Sequence, residues 1–353
     1  FRNRIINGDM RIDQRFGGTA NTFTASVYGP VDRMYPEFSG SGTISYGQRQ
    51  LTASDTPYQL GFRYSMRLTV TTGVTATQTN NYVNLLQRIE GYNIADLNWG
   101  TSFGQPITVS FWFRSTTAGT YASSIRSAQG TLYIWPFTYT YSTSGVWQYI
   151  TQTVPPPPNG VGTWTTDNTK SLEFFVVTNF VGSGTPGTAF SWTATAFAVA
   201  GTTLWHAQAG NYIEFTGVQL EKGTVATPFE FRPYATEFAL CQRYFYQLNC
   251  TTTGGNSQPF GSGFGLGLAA YIVVPLIVPM RASPVLSSNS AVTTFYINGG
   301  TGATVTAVAL SSASVYQAFM TFTSSITQGS TAIGVIVSAN STTSAFLGFN
   351  AEL

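Results

Sequence analysis

The sequence predicts an all-β protein built as an N-terminal sandwich, a short linking helix and a smaller C-terminal β-sandwich, and three observations carry that expectation. Apolar and polar residues alternate with period two in several runs, most clearly Ile107, Val109, Phe111 and Phe113 against Thr108, Ser110, Trp112 and Arg114. Charged residues make up 8% of the chain and aromatics 15%, a composition suited to sheets. Long stretches rich in Gly, Ser, Thr and Pro separate the runs, and helical spacing is nearly absent.

Taken in order, RIINGDMRIDQR contains a candidate first strand with a turn signal at Asn7-Gly8. Residues 16–62 carry little periodicity and read as long connections. Tyr64, Met66, Leu68 and Val70 alternate with Ser65, Arg67 and Thr69 as a strand with one covered face. In residues 82–91, Val83, Leu86, Gln87 and Glu90 are spaced as on a short helix ended by Gly91. Strands are expected next at ITVSFWFRS, TLYIW, VWQYITQTV and SLEFFVV, with the run Pro155 to Pro158 forming an extended surface loop. Residues 182–210 read as loop. No fixed-period repeat is present, which argues against a β-helix or a propeller.

The segment from Asn211 to Tyr246 organises the chain. Tyr212, Ile213, Phe215, Val218 and Leu220 form a strand whose alternation shifts at Gly217, the signature of a bulge. Glu221-Lys222-Gly223 then turns the chain, and Thr236 stands where a helix N-cap belongs, with Glu237 in the first turn. Phe238, Cys241, Tyr244, Phe245 and Leu248 fall on one helical stripe, which could line a threefold axis or, the favoured alternative, seal the base of the first sandwich. The expected division is 1–235, 236–249 for the helix, and 250–353. Further strands are expected at 270–278, 292–297, 303–310, 315–323 and 332–338.

Several function classes are disfavoured. Net charge is +2 with no clustered Lys/Arg tract, so nucleic acid is not an expected partner. The apolar run Tyr271 to Met280 holds two prolines and is far shorter than the ~20 residues of a spanning helix, so membrane insertion is not expected. The chain opens on Phe1 without the flanks of a secretory signal, which suggests a processed chain or a fragment. Cys241 and Cys250 are expected as buried free thiols; the sequons at Asn249 and Asn340 read as chance occurrences. Catalysis is not expected: the single histidine, His206, lies in a loop, and Asp32, Glu37 and Glu173 form no evident pair for glycoside hydrolysis. From Tyr244 onward the only charged residues are Arg281 and Glu352, which suggests a surface covered by identical neighbours and hence an oligomerisation domain.

INGDM, FWFRS, the block TGVQLEKGTVATPFEFRPYATEFALCQRYF and the closing NAEL resemble a module common in phage tail fibres and other virion surface proteins. The strand order of the first domain is also similar to jelly-roll carbohydrate-binding modules. The resemblance covers Phe1 to Tyr246 well and the remainder only through MRASP and the last residues. It implies a virion surface protein, usually a homotrimer held with other virion proteins, that binds a host surface polysaccharide as an adhesin or else decorates a capsid without a glycan ligand. It also implies a possible structural calcium, for which Asp9 and Glu221 are the nearest counterparts and Glu214 a weaker one, although the carboxylates are sparse for a calcium shell. Turn and salt-bridge roles are the plainer account of these residues.

Sugar recognition needs flat apolar platforms and a few fixed polar groups. Alternation sets Trp112 opposite Phe111 and Phe113, on the face of Arg114, and sets Arg67 opposite Met66 and Leu68. Tyr133 and Trp135 share a face with Phe137, and Trp192 and Trp205 are loop candidates. Packing inside a sandwich or an interface is the competing role for each.

Overall fold

The computed structural model describes residues 1–40, 42–74, 81–181, 186–194, 198–250, 259–298, 303–327, 332–340 and 345–353. It is all-β and divides into two compact units, Phe1–Glu237 with Leu353, and Phe238–Glu352. The strands of the first unit are β1 (Asn21–Phe23), β2 (Tyr35–Ser39), β3 (Thr43–Gln50), β4 (Tyr64–Thr72), β5 (Asn81–Glu90), β6 (Ile107–Ser115) and β7 (Gly119–Ser127), followed by β8 (Ile134–Tyr141), β9 (Gln148–Val154), β10 (Lys170–Thr178), β11 (Phe180–Val181), β12 (Pro186–Gly187), β13 (Ala198–Val199) and β14 (Tyr212–Lys222). One sheet runs β1-β3-β4-β14-β6-β9, the other β11-β5-β10-β7-β8 with β2 added on β5. The core between them is filled from β6 by Phe111 and Phe113, from β14 by Ile213 and Phe215, and from the second sheet by Phe137, Tyr121 and Phe174. Aromatic packing is dense: Phe113 lies within about 5 Å of Tyr121, Tyr141 and Phe215.

β14 is the central strand of the first sheet, paired with β4 on one side and β6 on the other. Its register against β6 shifts between Thr216 and Gln219, and Gly217 there takes φ 63°, the bulge that the sequence predicts. Three expectations fail. Residues 4–12 form no strand, because Asn7 and Met10 sit at φ 60° and the backbone bonds instead to side chains, Ile6 N–H donating to Gln87 Oε1 and Ile12 N–H to Asn7 Oδ1. Residues 16–62 hold three strands, with Ile44 and Tyr46 of β3 in the core. The helix expected at 82–91 is the strand β5: β2 and β10 pair on its two edges and both of its faces are covered, so its apolar residues lose the alternation that marks a half-buried strand.

The linking helix is shorter than expected. α2, taken as the second helix after α1 (Thr56–Gln59), spans Tyr234–Gln242 and starts directly after Pro233, so Thr236 is inside it rather than its cap. Phe245 and Leu248 leave the helical stripe for β15 (Phe245–Asn249), and Tyr244 and Phe245 are buried within one chain, which removes the axial role considered for them. The second unit continues with β16 (Pro259–Leu266), β17 (Ala269–Pro275), β18 (Val285–Asn289), β19 (Phe295–Asn298), β20 (Ala303–Ala313), β21 (Gln317–Ser324), β22 (Ala332–Ala339) and β23 (Phe346–Asn350). The expected runs are strands except at 292–297, where Val292–Thr294 is a 3₁₀ turn leading into β19, and β16-β17-β21-β20-β19-β22 close into a barrel instead of a second sandwich, beside a three-stranded sheet β15-β23-β18. Closure follows from β16 pairing with both β17 and β22, which leaves the barrel no edge. Ile272, Val274, Met320 and Phe322 point inward. No helix among the described residues is long and apolar enough to cross a membrane.

Candidate functional site

The outer face of the β6-β14-β4 sheet carries two adjacent cross-strand rows. Because Phe111 and Phe113 enter the core, Trp112 and Arg114 must face outward. In the first row Trp112 stands opposite Tyr149 of β9 and Thr216 of β14, with the Trp112 and Tyr149 ring centroids 5.2 Å apart. In the second row Arg114 stands opposite Glu214, and Glu214 opposite Arg67. Two residues along a strand separate the rows, about 7 Å.

An open cleft of about 550 Å³ lies over the first row, walled by Leu60, Phe62, Trp112, Tyr149, Phe229 and Phe231, with Thr227 and Pro228 at its side. Phe62, Phe229 and Phe231 form a triangle with centroids 4.9 to 5.0 Å apart. Pro228 and Pro233 keep PFEFRP out of any ladder, so Phe229 and Phe231, two apart in extended chain, both reach Phe62. Gly217 belongs to the same lining: a Cβ there would lie 2.8 Å from Phe62 Cζ and 3.2 Å from Trp112 Cδ1.

The second row is a charge hub. Glu214 is fully buried and accepts from Arg114 Nη2 at 2.7 Å, Arg67 Nη2 at 3.0 Å and Arg49 Nη1 at 3.0 Å. Asp55 accepts from Arg114 Nη1 at 2.9 Å, Arg49 Nη2 at 3.0 Å and the Trp147 indole N–H at 2.9 Å. Burial pushes the Asp55 carboxyl up, but the Trp147 N–H, the Thr52 amide and Arg49 outweigh it and hold the carboxyl well below the usual range. Burial works against the charge of Arg114, and the facing Glu214 more than restores it, raising the guanidinium further. Arg114 also stacks over Trp147 at 4.6 Å and Arg67 over Tyr212 at 4.1 Å.

Trp112, Arg114 and Arg67 are therefore brought together on one face. The other four glycan candidates are not. Trp135 is buried in the sandwich core with Phe137, because the face they share is the inner one. Trp205 is fully buried under the same sheets, in a 3₁₀ turn rather than an open loop. Tyr133 lies before β8, half-buried, with its backbone bonded to Ser127. Trp192 closes a three-tryptophan cluster with Trp99 and Trp164, at 5.8 and 6.0 Å, and donates to the Pro155 carbonyl. Tyr149, Phe62, Phe229 and Phe231 join the site without any spacing that marks them in the sequence, where the aromatic pair in proline-bracketed PFEF is the one signal.

Other titratable groups lie apart from the cleft. His206 is buried with no hydrogen-bond partner on either ring nitrogen among the described residues, and burial pushes it down to about 4. Asp32 is buried beside Arg15 and pushed up to about 7 by desolvation, Glu37 accepts from Asn84, and Glu173 is held by Arg88 and Arg126. Asp9 pairs with Arg11 at 3.0 Å, and burial pushes it up to about 6. Glu221 accepts from Arg2 Nε, Gln219 Nε2, the Thr227 amide and the Thr227 hydroxyl. No group of three His, Cys, Asp or Glu able to hold a metal occurs among the described residues. Cys241 and Cys250 are buried and form no disulfide among the described residues.

No family model matches the chain, and no curated protein matches it. Solved structures similar to it include the enzymatically active domain of bacteriophage CBA120 tailspike protein 4, at 15% identity and TM-score 0.33 over 63% of this chain and 21% of that one. The family 11 carbohydrate-binding module of the Clostridium thermocellum cellulase Lic26A-Cel5E is similar at 13% identity and TM-score 0.28, over 59% of this chain and 98% of the module. TmCBM61 in complex with beta-1,4-galactotriose is similar at 8% identity and TM-score 0.30, over 63% of this chain and all of that one. Likenesses this low carry no functional argument, which must come from the cleft.

Proposed function

We propose that this chain is a virion surface protein whose first unit binds a host cell-surface glycan in the Trp112 cleft. The observation that carries the proposal is the open cleft itself, which offers two outward aromatic rings from neighbouring strands, Trp112 and Tyr149, with fixed guanidinium groups one row away. Aromatic faces accept the C–H faces of a sugar ring, and rigid strands hold them without much entropic loss. Binding proceeds without hydrolysis in this proposal: the two carboxylates beside the cleft, Asp55 and Glu214, are each held by arginines, and Asp55 is kept ionised, unfit to act as a general acid.

The C-terminal unit is assigned to self-association as a homotrimer, in which many weak glycan contacts sum. The apolar exposed residues of its sparsely charged surface, with Ile277 80% exposed, support that assignment. The same surface also favours a second reading, a capsid decoration protein that meets its shell through this neutral face and binds no glycan. A glycan array with the oligomer, using Trp112→Ala and Tyr149→Ala as controls, separates the two. Binding lost in both variants supports the adhesin; no binding by folded oligomer supports the decoration protein.

A further inference from the structure

The charge hub beside the cleft is not balanced. Arg49, Arg67 and Arg114 surround two carboxylates, Glu214 and Asp55, whose oxygens are already occupied by these guanidiniums, the Trp147 indole, the Thr52 amide and the Ser65 hydroxyl. One positive charge remains over. Arg114 uses Nε, Nη1 and Nη2 on the two carboxylates, whereas Arg67 uses only Nε and Nη2, both on Glu214, and its side chain is 31% exposed. A further cation stands four residues before Arg67 in the chain: Arg63, exposed and with no carboxylate partner among the described residues, donates through Nη1 to the carbonyls of Tyr58 and Phe62 and stacks over the Tyr58 ring at 4.2 Å. Phe62 is itself a wall of the cleft. Glu230, between the cleft walls Phe229 and Phe231, is engaged by the backbone N–H groups of Arg2 and Asn3 and by Arg232 at 3.8 Å.

Resting on the glycan-binding proposal, we infer that the preferred ligand is an acidic saccharide, one whose ring lies on Trp112 and Tyr149 and whose carboxylates or sulfates on neighbouring sugars meet the free edge of Arg67 and, separately, the Arg63 guanidinium. Planar guanidinium suits both anions, because two N–H groups can meet two oxygens of one group. Arg67 lies one row along, about 7 Å, and two strands across, about 10 Å, from Trp112, so the anion it meets belongs to a neighbouring sugar and not to the ring on the aromatic platform. The buried carboxylates have a separate role, since they hold the arginines in fixed rotamers before any ligand arrives.

The test is titration of the full chain, read by tryptophan fluorescence, with oligogalacturonate, its carboxyl-reduced form, a sulfated galactan oligosaccharide and its desulfated form. An acidic oligosaccharide of either kind should bind at least about tenfold more tightly than its neutral counterpart, the order expected of a charge-assisted contact, and the advantage should shrink with added salt. Which acidic form is favoured distinguishes carboxylate from sulfate. Arg67→Gln and Arg63→Gln should each cut that advantage; Arg63 makes no ion pair among the described residues, so its variant keeps the test open if Arg67→Gln unfolds. Equal binding of acidic and neutral forms overturns the acidic preference and leaves glycan binding standing. Acidic binding that survives Trp112→Ala marks general charge attraction and overturns it also. No binding of any of the four, together with a blank glycan array, removes the glycan proposal itself.

Discussion

Glu214 and Arg114 face each other across the β6–β14 ladder with Glu214 Oε2 2.7 Å from Arg114 Nη2, and the carboxylate is closed off from solvent entirely. A buried carboxylate that three guanidiniums share fixes the row next to the cleft. Glu214→Gln should cost about 3 kcal/mol, the order found when one side of a buried ion pair is removed, because Arg49, Arg67 and Arg114 would then crowd around Asp55 alone. Urea unfolding checks it, and a loss no larger than that of Arg67→Gln would show that the carboxylate is not the organising group.

Gly217 offers a second test, of the cleft lining. Its φ of 63° penalises any side chain, and a Cβ would press on Phe62 and Trp112. Gly217→Ala should lower stability by about 1–2 kcal/mol and weaken glycan binding as the aromatic walls are pushed apart. Thermal melting and the fluorescence titration should move together; unaltered binding would place the ligand elsewhere on the sheet.

How much of this was readable in advance depended on whether a residue's environment is local. β14 and its bulge were legible because alternation and one glycine encode them, and Trp112 was legible because the two core phenylalanines beside it fix its direction. β5 was not, since covering both faces erases the period that identifies a strand. Trp135 and Trp205 misled for a related reason: a large aromatic suits a core as well as a binding platform, and only the strand order shows which face is inside. The Arg67–Glu214–Arg114 row joins three strands far apart in sequence, so neither its charge balance nor the arrival of Phe229 and Phe231 beside Trp112 could be derived from spacing.

His206 gives a pH prediction. Its folded value near 4 lies below the ordinary 6.5 because burial disfavours the cation. The neutral ring is thus favoured in the fold: the contribution is fully present above pH 6.5 and lost as pH falls from 6.5 to about 4, amounting to about 3 kcal/mol. Asp9 and Asp32, pushed up to about 6 and 7, act in the opposite sense, losing stability as pH rises from the usual carboxylate range through those values. The wild-type curve mixes the three, so the measurement is the difference from His206→Leu. The variant should gain on wild type by about 1.4 kcal/mol per pH unit below 6.5; a gap independent of pH would mean the ring is protonated as easily folded as unfolded.

Calcium should make no difference to stability. Glu221 already accepts four donors from the protein, and Asp9 is paired with Arg11 and pushed towards its neutral form, which suits a cation poorly. Melting temperatures in millimolar calcium and in excess chelator should coincide. A clear rise with calcium would revive Asp9 and Glu221 as ligands.

The barrel tests self-association. On its outer surface Tyr271 stacks on Phe264 at 5.2 Å and on Phe319 at 6.0 Å, a ladder across β16, β17 and β21 beside the exposed Val273. Inward neighbours Ile272 and Met320 complete the barrel core by themselves, so the ladder is not needed to fill the interior. A neutral face of this kind matches another neutral face, and a second copy supplies one. Light scattering of the full chain should give an oligomer, and Tyr271→Lys with Phe264→Lys should reduce the mass towards one chain, because two ammonium groups per copy would have to be desolvated at the contact. Far-ultraviolet circular dichroism should be unchanged, since neither side chain enters the core. If the doubly substituted chain keeps the wild-type mass, the contact between copies lies on another surface.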